Sequence, residues 1–172
     1  MTAIPTIRTA RLTLRAPGPQ DVAPMAAFYA SERSRFVGGP KDAEGAWRQL
    51  AAEIGHWTLR GYGHWIVEET ATGTACGMVG LWNPEGWPEP ELGWDLFDGF
   101  EGRGYATEAA LAAREHAYGT LGWRTAISLV HPENTASARV ADRLGARPDS
   151  TFTHPAFGTV LIYRHPVPEA CC

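Results

Sequence analysis

In the stretch "FEGRGYATEA" (residues 100–109), two glycines, an arginine, a threonine and a glutamate stand just ahead of an alanine-rich run. Gly102 and Gly104 precede the first turn of a helix expected over roughly 105 to 118. Free backbone N–H groups there can point at a ligand with no Cβ in the way. A helix N-terminus carries partial positive charge, so phosphate is its natural guest. Arg103 could add a full charge and Thr107 a hydroxyl. A glycine-rich turn that only redirects the chain would read the same, and Glu108 is equally a first-turn acid that suits the helix dipole. A dinucleotide fold fits poorly, because the third glycine position of Gly-x-Gly-x-x-Gly is Thr107 and no acid ends a following strand about 20 residues on. The Gly-Lys-Ser/Thr of triphosphate-hydrolysing loops is absent.

A second stretch, "VHPENTASARVADRLGAR" (residues 130–147), joins a strand end to a well-delimited helix. Asn134 is a good N-cap and Gly145 a good left-handed stop. Ser137 shares a face with Val140, Ala141 and Leu144, so it should point inward. There it could do chemistry, or simply return a hydrogen bond to a carbonyl of the preceding turn.

The elements that must position these residues read as a mixture. "RLTLRAP" alternates like a strand and stops at Pro-Gly-Pro. "QDVAPMAAFYASE" and "DAEGAWRQLAAEIGHWTLR" have helical spacing, with Trp47, Leu50, Ala51 and Ile54 expected on one face of the second. "GHWIVEE" and "ACGMVGLW" look like a hairpin around "TATGT". The proline-rich loop "NPEGWPEPE" leads into a strand, "LGWDLF". The helix after the glycines carries small residues at Ala106, Ala109, Ala110, Ala113 and Ala117, which lets it lie close on a sheet. "RTAISLV" is a strand, "NTASARVADRL" a helix, and two strands are expected around Thr151 and Val160. Without strict alternation of strand and helix, this is α+β with a largely antiparallel sheet.

Composition bounds the rest. The 172 residues suit a single domain spanning 1–172, with a loose tail from about 166. A formal net charge of −4 argues against a nucleic-acid or anionic-lipid coat. Arg8 and Arg11 interrupt the apolar core that a secretory leader would need, and no apolar run approaches a membrane span. Cys76, Cys171 and Cys172 have no zinc or disulfide spacing. A soluble cytoplasmic protein without a metal is the expectation, and a homodimer is compatible with it.

"GRGYATEA" followed by "HPENTASARVADRLGA" resembles the acetyl-CoA-dependent GNAT acetyltransferases, in particular the branch that acetylates N-terminal amines of ribosomal proteins. "TARLTLRAPGPQDV" and "ELGWDL" fit the same branch, and the resemblance runs from about residue 7 to 164. It implies about four helices around a twisted sheet splayed between "LGWDLF" and "AISLV", with the pantetheine arm in the gap. The pyrophosphate of coenzyme A would lie on the amides of Gly102, Arg103, Gly104, Tyr105, Ala106 and Thr107, near Asn134. A backbone N–H near Leu96 and Phe97, released by a bulge, would meet the oxyanion. Glu101 departs from the Gln or Arg usual at its position and is expected to point to solvent.

The resemblance also implies the chemistry. An amine attacks a thioester only when unprotonated, so a base, an oxyanion donor and sometimes an acid for the thiolate are needed. Glu91 shares a strand face with Gly93 and Asp95 and stands where the family keeps an acid beside the acetyl end, making it the candidate base. The position at which many relatives keep an acidic tyrosine is Ala141, which leaves Ser137 as the candidate donor to the thiolate. Trp82, Trp87 and Trp94 are the candidate acceptor wall, and Glu85, Glu89 and Glu91 would favour a cationic acceptor. The alternative on the same fold is an acyl-CoA-binding module without turnover.

Overall fold

In Leu12–Arg15 both leucines are fully buried while Thr13 and Arg15 are half-buried, the period of a strand with one face inward. The same logic builds the remaining strands. The computed structural model describes residues 3–167. Its elements are β1 (Ile7–Arg8), β2 (Leu12–Arg15), α1 (Val22–Ala30), α2 (Ala43–Arg60), β3 (His64–Glu69), β4 (Thr74–Trp82), β5 (Glu91–Leu96), α3 (Tyr105–Gly119), β6 (Ile127–Val130), α4 (Thr135–Arg143), β7 (Arg147–His154) and β8 (Gly158–Arg164). The strands form one sheet in the order β1-β2-β3-β4-β5-β6-β8-β7. Every neighbouring pair is antiparallel except β5 and β6. This is the mixed, mostly antiparallel α+β architecture expected. No helix among the described residues is long and apolar enough to cross a membrane. Residues 168–172 of the expected tail, with Cys171 and Cys172, lie outside the described residues.

Helices cover both faces of the sheet. The alanine stripe of α3 is buried, and Ala109, Ala110, Ala113 and Ala117 pack in one cluster with Leu12, Leu14, Trp65, Val79, Leu81 and Leu92. On the other face Met25, Phe28, Ala46 and Leu50 of α1 and α2 meet Ile66, Met78 and Phe97. Asp42 caps α2 by accepting from the Gly45 amide at 2.8 Å. The inward face of α2 is not the one expected. Ala46, Leu50, Glu53, His56 and Trp57 are buried, whereas Trp47 is 58% exposed and Ile54 39%. Leu50 is buried on either face; the observed one also buries Trp57, whose Nε1 donates to the His64 carbonyl at 2.8 Å, and Glu53, whose burial is offset by its bond to His64.

The junction of β5 and β6 shapes the site. These parallel strands share one register pair, Glu91 with Ile127. Side chains replace much of the missing ladder. Ser128 Oγ donates to the Leu92 carbonyl at 2.6 Å, and the Leu129 amide donates to Glu91 Oε1 at 3.1 Å. No register pair continues toward Leu96 and Val130, which leaves the splay that the family resemblance implied. The bulge expected near Leu96 is absent: β4 and β5 keep an unbroken register from Gly77–Leu96 to Trp82–Glu91.

Candidate active site

Strand alternation does the work assigned to a bulge. Phe97 N–H donates to the Cys76 carbonyl at 3.0 Å. With that register, the backbone groups of residues 91, 93 and 95 face β4, and those of Leu92, Trp94 and Leu96 face β6. The Leu96 N–H therefore points into the gap, while the Phe97 N–H is spent on β4. The Phe97 ring lies in the core, 5.7 Å from that of Phe28. The Leu96 carbonyl accepts from Arg33 at 2.9 Å.

Glu91 stands at the closed end of the gap. Its Oε2 accepts from Trp87 Nε1 at 2.7 Å and its Oε1 from the Leu129 amide. Burial raises its pKa to about 7 against the pull of these two hydrogen bonds and of nearby His64. Asp95, two residues past Gly93 on the same face, is pushed to about 6, again chiefly by burial. Across this face lies His64, whose Nδ1 is 2.9 Å from Oε2 of Glu53. Glu53 is a buried acid of α2 outside the residues expected at the site, and it lies in step with Leu50 and Trp57. Of the loop acids expected to attract a cation, Glu85 is exposed and paired with Arg60, and Glu89 is paired with Arg164. Glu53 and Asp95 join Glu91 at the cleft in their place.

Gly102 and Gly104 have φ of +72° and +80°, the left-handed region that glycine enters without strain. None of the turn and cap hydrogen bonds of the described residues uses an amide between Gly102 and Thr107. Thr107 Oγ1 is buried with no partner among the described residues. Free amides and an orphaned hydroxyl at a helix N-terminus fit a pyrophosphate. Arg103 is held by Glu69 at 2.9 Å, which also accepts from the Tyr105 hydroxyl at 2.6 Å. Glu108 is bound by Arg11 and Thr9, so it does more than favour the helix dipole. Glu101 does not simply face solvent: it pairs with Arg33, which offsets its charge beside the cradle. Asn134 caps α4 by accepting from the Ser137 amide at 3.1 Å.

The three tryptophans divide between two sides. Trp82 stacks on His56 at 4.4 Å and on His64 at 5.3 Å, and Trp87 touches Glu91 while its ring lies 5.8 Å from that of Phe157. Trp94, one residue out of phase with Glu91 and Asp95, turns to the opposite face, where its Nε1 donates to Ser137 Oγ at 3.1 Å. The Ser137 oxygen thus accepts from an indole, and its own proton remains free to donate. One cleft of about 1520 Å³ runs from the cradle past Ser137 and Glu91 to Trp82 and Trp87. That is larger than a pocket for a single small ligand and has room for two substrates.

Residues 11–147 match the sequence family described as "Acetyltransferase (GNAT) domain". An acetyltransferase of solved structure from Agrobacterium tumefaciens is 40% identical, with a TM-score of 0.88 over 96% of each chain. A Bacillus subtilis protein called YkkB is 30% identical over 124 residues, 68% of this chain and 69% of its own. The ribosomal-protein-S5-alanine acetyltransferase of Vibrio fischeri is 16% identical, with a TM-score of 0.71 over 97% of this chain and 98% of its own. At that identity the likeness is one of fold.

Proposed function

This chain belongs to the GNAT acetyltransferase family, and on that premise we propose that it moves the acetyl group of acetyl-CoA to a primary amine by direct attack in a ternary complex. The observation that carries the reading is the Glu91 carboxyl, which burial raises to about 7 where the gap between β5 and β6 closes. A group poised near neutrality can accept a proton and release it again. Glu53 and Asp95 add negative charge on the same face, and Trp82 and Trp87 supply apolar walls, a combination suited to a cationic amine.

In this reading the amides of Gly102 to Thr107 and the Thr107 hydroxyl hold the pyrophosphate, with the pantetheine arm running between β5 and β6. The Leu96 N–H, turned into the gap, stabilises the oxyanion of the thioester carbon under attack. Glu91 takes the proton that the attacking nitrogen sheds as the C–N bond forms. Ser137, its oxygen fixed by Trp94, donates to the departing thiolate. The acceptor is a protein α-amine or a small-molecule amine. An α-amine, with a pKa of about 7.7–8.0, needs less help at neutral pH than a lysine at about 10.4.

A panel of amines, including peptides with free N-termini, tests the reading by following thiol release from acetyl-CoA and identifying the acetylated product by mass. Amine-dependent release is expected. Acetyl-CoA binding without release by any amine would favour a non-catalytic acyl-CoA-binding module instead.

A further inference from the structure

Gly93 lies inside β5 without a positive φ to call for glycine, and a strand-interior glycine weakens a sheet unless something approaches it closely. Here something does. A Cβ on Gly93 would come within 2.9 Å of His64 Nε2. The imidazole edge fills the space that the missing side chain leaves, with Glu91 two residues before and Asp95 two residues after on the same strand face.

The ring is held from behind. Glu53, its side chain 2% exposed, accepts at Nδ1, while the His64 side chain is 12% exposed. The other Glu53 oxygen accepts from Gln49 Nε2 at 2.8 Å, and Gln49 Oε1 accepts from Lys41 Nζ at 2.9 Å. Trp82 stacks on the ring with an interplanar angle of 7°. A carboxylate can only accept, so in the neutral ring Nδ1 carries the hydrogen and the Nε2 lone pair is open. Among the described residues no group hydrogen-bonds Nε2. A packing histidine would not need a buried acid to orient it, nor a glycine to clear the path of its second nitrogen into the cleft.

We propose that His64, oriented by Glu53, is a second catalytic base, and that its Nε2 takes the proton the acceptor's ammonium must lose before attack. The inference rests on the N-acetyltransferase reading. It answers a count of protons: an ammonium has three N–H bonds and the amide product one, so two protons leave the nitrogen. The first breaks away to Nε2 and frees the lone pair. The second goes to Glu91 as the C–N bond forms and the C–S bond breaks. The thiolate takes up one proton to become the thiol, and the other passes to solvent, which resets both bases.

The charged and titratable groups facing the ring are Glu53 and His56 from α2 and Glu91 and Asp95 from β5, with Lys41 behind Gln49. Burial alone would lower the His64 pKa, but Glu53, Asp95 and Glu91 together hold it above the ordinary value. The base works when neutral, so kcat/KM should climb as pH rises through that raised value. Glu53→Gln removes the largest upward contribution and should move the acid limb to lower pH.

The test is His64→Ala, with kcat expected to fall by about 10²–10⁴, as for loss of a general base, and acetyl-CoA affinity by calorimetry unchanged. The substitution leaves a hole between Trp82 and Gly93 shaped for imidazole, and added imidazole should restore the rate in a saturable way. A rate loss that imidazole does not recover, or no loss, overturns the proposal. Nitrogen NMR of the resting protein is a readout independent of turnover and of whether His64→Ala folds. It should report the Nδ1–H tautomer and a midpoint above about 6.5 that drops in Glu53→Gln; an Nε2–H tautomer or an unmoved midpoint overturns it. A parent that releases no thiol with any amine sinks the N-acetyltransferase reading and this base with it. A competent parent whose His64→Ala variant keeps its rate sinks the base alone.

Discussion

Replacing Glu91 by glutamine should make the protein more stable and less active, with the stability gain appearing only as pH rises. The folded pKa of Glu91 is raised from 4.5 to about 7 by burial. Between those values the folded state keeps a proton that the unfolded chain has lost. The parent's stability therefore falls as pH climbs through that window and levels off above it. At 1.36 kcal/mol per pKa unit, an ionised Glu91 costs up to about 3 kcal/mol at pH 8 relative to the unfolded chain. Glutamine approximates the protonated acid in shape and carries no charge at any pH. The two proteins should thus unfold alike near pH 4.5, and the variant should lead by up to about 3 kcal/mol at pH 8. Urea unfolding at a series of pH values measures the difference directly. His64 titrates in both proteins, and the variant withdraws only the smallest of the three carboxylate contributions that raise its pKa, so most of its effect is common to both. In the same preparations kcat should fall by about 10²–10⁴. Parallel stability curves across pH 4.5–8 would show that Glu91 ionises without cost, and the argument for a poised base would be refuted.

Other perturbations separate the remaining parts. Gly102→Asp puts a side chain at φ +72°, in open space, and a negative charge where phosphate would sit. Acetyl-CoA binding should weaken by about 1.5–3 kcal/mol, the worth of a hydrogen bond to a charged group, and an unchanged Kd in a folded variant would remove the cradle from this stretch. Thr107→Val deletes a buried hydroxyl with no partner among the described residues. The free protein should keep or slightly raise its Tm, while calorimetry shows acetyl-CoA binding weakened by about 0.5–1.5 kcal/mol. Ser137→Ala should slow turnover about tenfold to a hundredfold, at the low end for acid–base residues because a thiolate leaves readily. Steady-state rates within twofold of the parent, with a lowered Tm, would make Ser137 a packing partner of Trp94.

What the sequence disclosed and what it hid divide along the range of the interactions. Gly102, Gly104, Asn134 and the alanine stripe of α3 were legible because caps, turns and helix faces are set by residues within four positions. Apolar spacing points to the wrong face of α2 because Trp47 and Ile54 are larger than Ala46, which is the buried residue. A glutamate at steps of three and four from Leu50 and Trp57 was the available signal, since an acid on an apolar face rarely goes unpartnered. Nearness in the chain groups Trp94 with Trp82 and Trp87, although the alternation that joins Glu91 to Asp95 already turns it to the other face. Other pairings left no local trace. Arg33 meets Glu101 across 68 residues, and His64 meets Glu53 only because α2 and β3 fold back on each other.

The vertex of the splayed sheet ties fold to chemistry through the same atoms. Where a parallel ladder would continue, Glu91 accepts from the backbone of Leu129, and Ser128 reaches back to Leu92. The bond that helps close the strands at one end therefore also fixes the candidate base, and a second bond ties it to Trp87 of the preceding loop. A carboxylate this confined loses solvation, which lifts its pKa toward neutrality, and it loses rotamer freedom, which lowers the entropy cost of reaching a reactive geometry. Along β5 the next inward position has no side chain, so His64 can stand beside that fixed acid rather than behind it. One strand thereby carries an acid, a gap and an acid on one face, and an open N–H at Leu96 on its edge. On the proposed reading, the surface for which a short ladder and a mid-strand glycine give up stability is where an ammonium would lose its protons within reach of a thioester.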